Sequence, residues 1–192
     1  MRILRAGEHT VMPWKNGLGV TREVALEPAA MPDAPFLWRL SVATIKTSSP
    51  FSTFRGIDRT IAALSGEPVR LLVDGKDTVT LEALGKPFSF AGESAVDAAS
   101  AGGETTDLNI MTLRGHAAHE MTRLSWTGSL SVPGARDLNM VVFTGPAVIV
   151  MEEARHDVAA HDVATDIRRG QVVTLDAKSP AVAYLIGIDI TR

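Results

Sequence analysis

Cysteine is absent from this sequence, and histidine is scarce, with five in 192 residues. Without cysteine there is no disulfide framework, no thiolate zinc site and no cysteine nucleophile. A dominant charge sign is also missing: 19 Lys and Arg stand against 22 Asp and Glu, for a formal net charge of -3. A phosphate-backbone binder needs a basic footprint, so no nucleic-acid partner is expected. Long apolar runs are missing as well. The most apolar stretch, MVVFTGPAVIVM at residues 140–151, is interrupted by Thr, Gly and Pro and falls short of the ~20 residues a membrane helix needs. The opening MRILRAGEHTVMPWKNG carries charges and no continuous apolar segment of signal-peptide length. These absences lead us to expect a cytoplasmic protein with no membrane partner. Gly-rich phosphate loops, a G-x-S-x-G elbow and H-E-x-x-H are also lacking.

The apolar content is ordinary for a globular chain, at 45%. A chain of this length buries roughly 70% of its unfolded surface and needs no staple. Sixteen Gly and ten Pro are spread throughout, and short runs of period-two alternation lie between them. The clearest are residues 39–45, 69–73, 78–81 and 107–113, followed by 139–143, 147–151, 171–175 and 182–188. Many short strands at this spacing predict a β-sandwich or barrel. Asp74-Gly75 predicts a tight hairpin, because that pair tolerates positive φ. Residues 91–101 remain open between short helix, strand and loop. A faint repeat relates Leu64-Ser65-Gly66 and its strand to Phe143-Thr144-Gly145 and its strand. No linker separates two independent domains, and residues 129–134 are the best candidate joint.

Strand alternation sorts side chains by face. Thr21 and Glu23 share one face, with Val20, Val24 and Leu26 on the other. Arg39 and Ser41 oppose Leu40 and Val42, while Asp107, Asn109 and Met111 point together. Each strand thus carries a polar pair beside an apolar pair. Solvent exposure of one sheet face explains such a pattern. The mixture of opposite charges, amides and hydroxyls also suits a polar pocket inside a barrel. The segment Pro13-Trp14-Lys15-Asn16-Gly17 adds a Trp that could wall a pocket and a Lys that could meet an anion. Trp14 packed in the core with Lys15 in solvent is the alternative.

Pro13-Trp14-Lys15-Asn16-Gly17, followed by Gly19, Thr21 and Glu23, resembles the opening signature of the HutD/Ves family. Trp38-Arg39-Leu40-Ser41-x-Ala43 and Pro50-Phe51-Ser52-x-Phe54-x-Gly56-x-Asp58-Arg59 resemble its next motifs. Leu64-x-Gly66 and Asp107-x-Asn109-x-Met111 continue in order. The motifs lie between residues 12 and 115, and the C-terminal third matches in character alone. Leu18 and Ser49 depart from glycines common in the family. The resemblance implies an all-β, cupin-like (RmlC-like) duplicated barrel, a bicupin with few short helices. It implies a single unit over residues 1–192, with a first barrel at 1–118 holding a ligand pocket and a second at 119–192.

A metal-binding cupin carries H-x-H-x4-E-x6-G. Counting back from Gly66 places its Glu at Arg59 and its two His at Ser52 and Phe54, and a third His is expected near Ala95. None of the five histidines falls there. A cation at the carboxylate position repels a divalent metal, and Phe offers no lone pair. We expect no metal and no cofactor, with Arg59 instead facing a carboxylate. A structural ion pair of Arg59 with Asp58, Glu23 or Asp107 is the alternative. His116, His119, His156 and His161 read as solvated loop residues, with a metal site of His156, His161 and Asp162 as the alternative.

The candidate pocket is therefore Trp14, Lys15, Asn16, Thr21, Glu23, Arg39, Ser41, Phe54, Arg59, Asp107 and Asn109. Its excess of cations favours a small carboxylate ligand. The resemblance links that ligand to regulation of histidine utilisation, with N-formylglutamate or urocanate as candidates. A metal-free isomerase or hydrolase with Glu23 or Asp107 as general base is a second reading. A protein-interaction module, with the second barrel as a homodimer or partner surface, is a third.

Overall fold

In the computed structural model, which describes residues 1–14, 19–45, 48–100 and 102–191, the chain is built almost entirely of antiparallel strands. In chain order they are β1 (Arg2–Leu4), β2 (Thr10–Pro13), β3 (Gly19–Glu27), β4 (Trp38–Ile45), β5 (Ser49–Pro50), β6 (Ile57–Gly66), β7 (Val69–Val73), β8 (Asp77–Leu81), β9 (Phe88–Ala91), β10 (Val96–Ser100), β11 (Thr105–Leu113), β12 (Ala117–Pro133), β13 (Leu138–Phe143), β14 (Ala147–Met151), β15 (Ala154–Val158), β16 (Val163–Arg168) and β17 (Val172–Ile190). A short 3-10 turn, Ala6–Glu8, follows β1. Among the described residues, no helix is long and apolar enough to cross a membrane.

Contacts divide the chain into two units, Thr10–Ala118 and a second made of Met1–His9 with His119–Arg192. The expected first half began at residue 1. The first nine residues instead join the second unit, because β1 pairs antiparallel with β16, Ile3 lying opposite Ala164. Asp162 secures this joint, accepting hydrogen bonds from Arg5 Nη1 at 2.8 Å and Ala6 N at 2.9 Å.

The second unit holds one seven-stranded sheet, ordered β1-β16-β13-β17-β14-β15, with β12 also on β17. Its core is aliphatic, gathering Val141, Ile149, Ala164, Val173 and Leu175 around Phe143 and Trp126. The Thr10–Ala118 unit holds a six-stranded sheet, β2-β3-β4-β11-β6-β9, and a four-stranded one, β5-β10-β7-β8. Ile61 and Ala63 of the larger sheet pack with Leu71, Val73, Val96 and Ala98 of the smaller. The β7–β8 hairpin turns through Asp74 and Gly75, at φ 52° and 67°. Both values are positive, as that two-residue turn requires.

Two regions depart from expectation. The candidate joint at residues 129–134 falls, all but Gly134, inside the 17-residue β12. Gly128 bends its backbone with φ 76° and so carries the punctuation without ending the strand. Of residues 91–101, Ala91 ends β9 and Val96–Ser100 form β10, since the small residues Ala98 and Ala99 can pair with β7; residue 101 lies outside the described residues.

Candidate functional site

Strands β3, β4, β11 and β6 run side by side, and their register builds one face in rows. One row reads Arg59, Met111, Arg39. The next reads Ile61, Asn109, Ser41, Glu23. A third reads Ala63, Asp107, Ala43, Thr21. Bulk therefore falls away on both sides of Asp107, where only alanine methyls flank it. A cavity of about 500 Å³ opens over this face, a size suited to a small metabolite. Thr21, Arg39, Ser41, Arg59, Asp107 and Asn109 line it from the sheet, with Trp14 and Phe54 at its walls.

Eight of the eleven expected pocket residues thus surround one cavity. Glu23 stands behind them, its carboxylate accepting from Arg39 Nε at 2.8 Å. Lys15 and Asn16 lie outside the described residues. Sequence reading missed Pro13, Pro50, Phe51 and Ser52, whose side of the cavity is loop and short edge strand. The alternation of β11 carries the signal for Met111. Strand alternation in β3 fails beyond Glu23, because a bulge between Glu23 and Ala25 shifts the register. Leu26 consequently lies opposite Arg39 and is partly exposed rather than buried.

Solvent exposure does not explain the polar pairs. Arg59 is 5% exposed, Asp107 3%, Asn109 6% and Ser41 4%. The opposite faces of the same strands are buried too, with Leu40, Leu108 and Ile110 at 0%. Buried polar groups demand partners, yet Arg59 Nε, Asp107 Oδ1 and Asn109 Oδ1 have none among the described residues. Trp14 is satisfied, its indole N–H donating to Thr21 Oγ1 at 2.8 Å. Gly19 makes this possible: a Cβ there would sit 2.8 Å from the Trp14 ring and 2.6 Å from Thr44 O.

Arg59 is held by an aromatic collar. Its guanidinium carbon lies 4.8 Å from the Phe90 ring centre, 5.3 Å from Phe51 and 5.7 Å from Phe54. Nη1 donates to the Ser52 carbonyl at 3.0 Å. Cation–π contact and one hydrogen bond fix the fork, and Nε is left buried with no hydrogen-bond partner among the described residues. Burial lowers the Arg59 pKa to about 10, the field of Asp107 opposing and that of Arg39 adding to the drop. Arg59 therefore remains a cation at neutral pH. Burial pushes Asp107 up to about 7, partly held down by Arg59. The two act on each other through their fields and not through a hydrogen bond. Asp58, offered as a partner for Arg59, instead binds Arg114 at 2.7 Å.

Ser52, Phe54 and Arg59 all line the cavity, so the positions of a cupin metal set do face inward. Their chemistry does not fit a divalent cation: a hydroxyl, a phenyl ring and a guanidinium are present. Among the described residues, no group of three or more His, Asp or Glu is placed to hold a metal. His119 lies in β12 and His156 in β15, where loops were expected. Asp162 spends its carboxylate on Arg5 and on the backbone of Ala6 and Ala159.

The sequence and the fold have known counterparts. A Pseudomonas putida protein described as an uncharacterized 21.2 kDa protein in the hutC 3′ region is 42% identical over 111 residues, 58% of this chain and 57% of that protein. The chain spans a little over half the length of the curated relatives it matches, which include Protein Ves of Citrobacter koseri. The crystal structure of a conserved protein of unknown function from Pseudomonas aeruginosa superposes with a TM-score of 0.88, at 33% identity over 98% of both chains. HutD from Pseudomonas fluorescens, solved in a formate condition, gives 0.85 at 26% identity, covering 100% of this chain and 99% of that one. A cupin barrel protein from Leptotrichia buccalis, at 10% identity and TM-score 0.59 over 98% of this chain and all of that one, shares the fold alone. The HutD family profile matches residues 6–183. With its cupin-like all-β fold, this chain belongs to the HutD family.

Proposed function

We propose that this chain is a metal-independent binding protein for a small carboxylate-bearing metabolite, acting in the regulation of histidine utilisation. One observation carries the reading: a buried guanidinium, held by three aromatic rings, lines a cavity of metabolite size while its Nε has no hydrogen-bond partner among the described residues. A charge this deep needs a counter-ion to offset its desolvation. Glu23 is already engaged by Arg39, and Asp107 makes no hydrogen bond to Arg59. A ligand carboxylate supplies both the charge and the acceptor, and charge-assisted hydrogen bonds are the strong ones. The relative named for its place beside hutC supports the metabolic setting. N-formylglutamate and urocanate are the first molecules to try. Titration calorimetry against a carboxylate panel tests the reading. Saturable heat that disappears in Arg59→Met supports it, and silence across the panel sinks it.

A second reading rests on Asp107. A buried carboxyl titrating near 7 has the poise of a general acid or base. On that reading the chain is a metal-free isomerase or hydrolase for the same kind of molecule. Incubation with histidine-pathway intermediates, followed by mass spectrometry, distinguishes turnover from retention.

A further inference from the structure

The carboxylate contact at Arg59 leaves Asp107 unexplained. Its side chain is buried in the cavity wall, and Oδ1 has no hydrogen-bond partner among the described residues. The neighbouring strands offer it none at its own level, since Ala63 of β6 and Ala43 of β4 stand on either side. Among the described residues, the charged groups on its face are Arg59 of β6, Arg39 of β4, and Glu23 of β3, which is bound to Arg39. From β9 and residues 50–54 come only Phe90, Phe51, Phe54, Ser52 and Pro50, none of which titrates.

The charge count on this face decides what happens when an anion arrives. Glu23 neutralises Arg39, so Arg59 and Asp107 form the remaining opposite pair. Among the described residues, the face is thus near neutral with Asp107 ionised and carries one positive charge with Asp107 protonated. An anion docked on Arg59 cancels the cation that keeps Asp107 ionised. It also adds a like charge nearby, and two buried carboxylates around one guanidinium cannot both remain charged without cost.

Resting on the reading that Arg59 holds a carboxylate, we propose that the ligand enters this cavity together with one proton, taken from solvent onto the Asp107 carboxylate. An O–H bond forms on Asp107, and no bond of the ligand breaks. Protonated Asp107 is then a donor rather than an acceptor, so it can face an acceptor oxygen of the ligand. The free carboxyl titrates near 7, which sets the pH at which this coupling is felt. Asp107 is a positioning and charge-matching residue here, and occupancy of the site follows pH near neutrality.

The experiment is titration of the whole chain with N-formylglutamate and with acetate, neither of which changes protonation between about pH 6 and 8.5. Two buffers of different ionisation enthalpy, HEPES and Tris, are compared at about pH 7.5. Proton uptake makes the measured heat differ between the buffers by the equivalent of roughly 0.5–1 proton per ligand bound. The Kd is expected to rise by up to about tenfold per pH unit above 7. In Asp107→Asn the buffer difference vanishes and the Kd becomes flat with pH. Saturable wild-type binding with equal heats in both buffers and a flat pH profile overturns the proton coupling and leaves the Arg59 reading standing. No binding of either acid at either pH overturns both. The wild-type buffer comparison decides the matter even if Asp107→Asn does not fold.

Discussion

Arg39 donates its Nε hydrogen to the Glu23 carboxylate at 2.8 Å, and this pairing determines which guanidinium of the site is open to a ligand. Both side chains are partly shielded, at 16% and 27% exposure. Arg59 stands two strands further from Glu23, beyond β11, with no carboxylate on its fork among the described residues. Two arginines on one wall thus have different tasks: Arg39 is neutralised within the protein, and Arg59 faces the cavity.

Replacing Arg59 with Met is expected to separate binding from stability. The side chain contributes one hydrogen bond to Ser52 O and three ring contacts against a large desolvation cost. Apolar replacement of a buried ion is often neutral or stabilising. Carboxylate affinity should fall about 10–100-fold, the worth of a charge-assisted hydrogen bond, while the thermal midpoint holds or rises. Calorimetry and a melting curve on the same preparation check this. A large drop in the midpoint would show that Arg59 is chiefly a structural cation.

Glu23→Gln removes the charge that neutralises Arg39 and keeps the side chain's volume. A partly buried ion pair with good geometry is worth about 1 kcal/mol, so urea unfolding should shift by that amount. The freed Arg39 adds a second cation to the cavity wall, and carboxylate binding should tighten several-fold, more for a dicarboxylate. Weakened binding would mean that Glu23 itself touches the ligand.

Stability should also depend on pH through Asp107. Its carboxyl titrates near 7 in the folded chain against an ordinary 3.8. Between those values the folded state keeps a proton that the unfolded chain has released. Stability therefore declines as pH rises from about 4 to 7 and levels off above, at about 1.4 kcal/mol per unit at most. Asp107→Asn should lack this slope. Urea midpoints of both proteins across the window provide the comparison, and parallel profiles would contradict the raised value.

Asp162→Ala is expected to release residues 1–9. The carboxylate accepts from Arg5, from Ala6 N and from Ala159 N. Burial works against ionisation, but these hydrogen bonds hold its pKa below the usual value. Its contribution is thus present above about pH 4 and is lost as pH falls through the lowered value. Removal should cost about 2–3 kcal/mol, and amide exchange in β1 should accelerate. Unchanged exchange would place the anchor elsewhere, in the β1–β16 ladder.

Much of the first unit was legible as period-two alternation. Residues 39–45, 69–73 and 107–113 lie within β4, β7 and β11, and Asp74-Gly75 makes the turn its φ preferences require. The long strands β12 and β17 were not legible as continuous elements. Their Gly and Pro residues suggest breaks, and only pairing with a neighbour shows that the ladder runs through. The charged stretch around His156 was read as loop for a similar reason: β15 is an edge strand with few buried side chains, and hydropathy cannot register its backbone pairing to β14.

For the site, the sequence by itself determined the chemistry: an arginine where a cupin metal ligand would stand, no histidine near it, and alternating polar residues on three strands. It could not say whether those polar faces met water or each other, because alternation reads the same in both cases. Tertiary structure decided that. Its register placed Arg59 and Arg39 on either side of Met111 and left alanines beside Asp107. The pairing of β3 with β4 set Glu23 opposite Ser41, within reach of Arg39 and three strands from Arg59. Charge pairing of this kind depends on angstrom-scale placement across strands far apart in sequence, which no local pattern encodes.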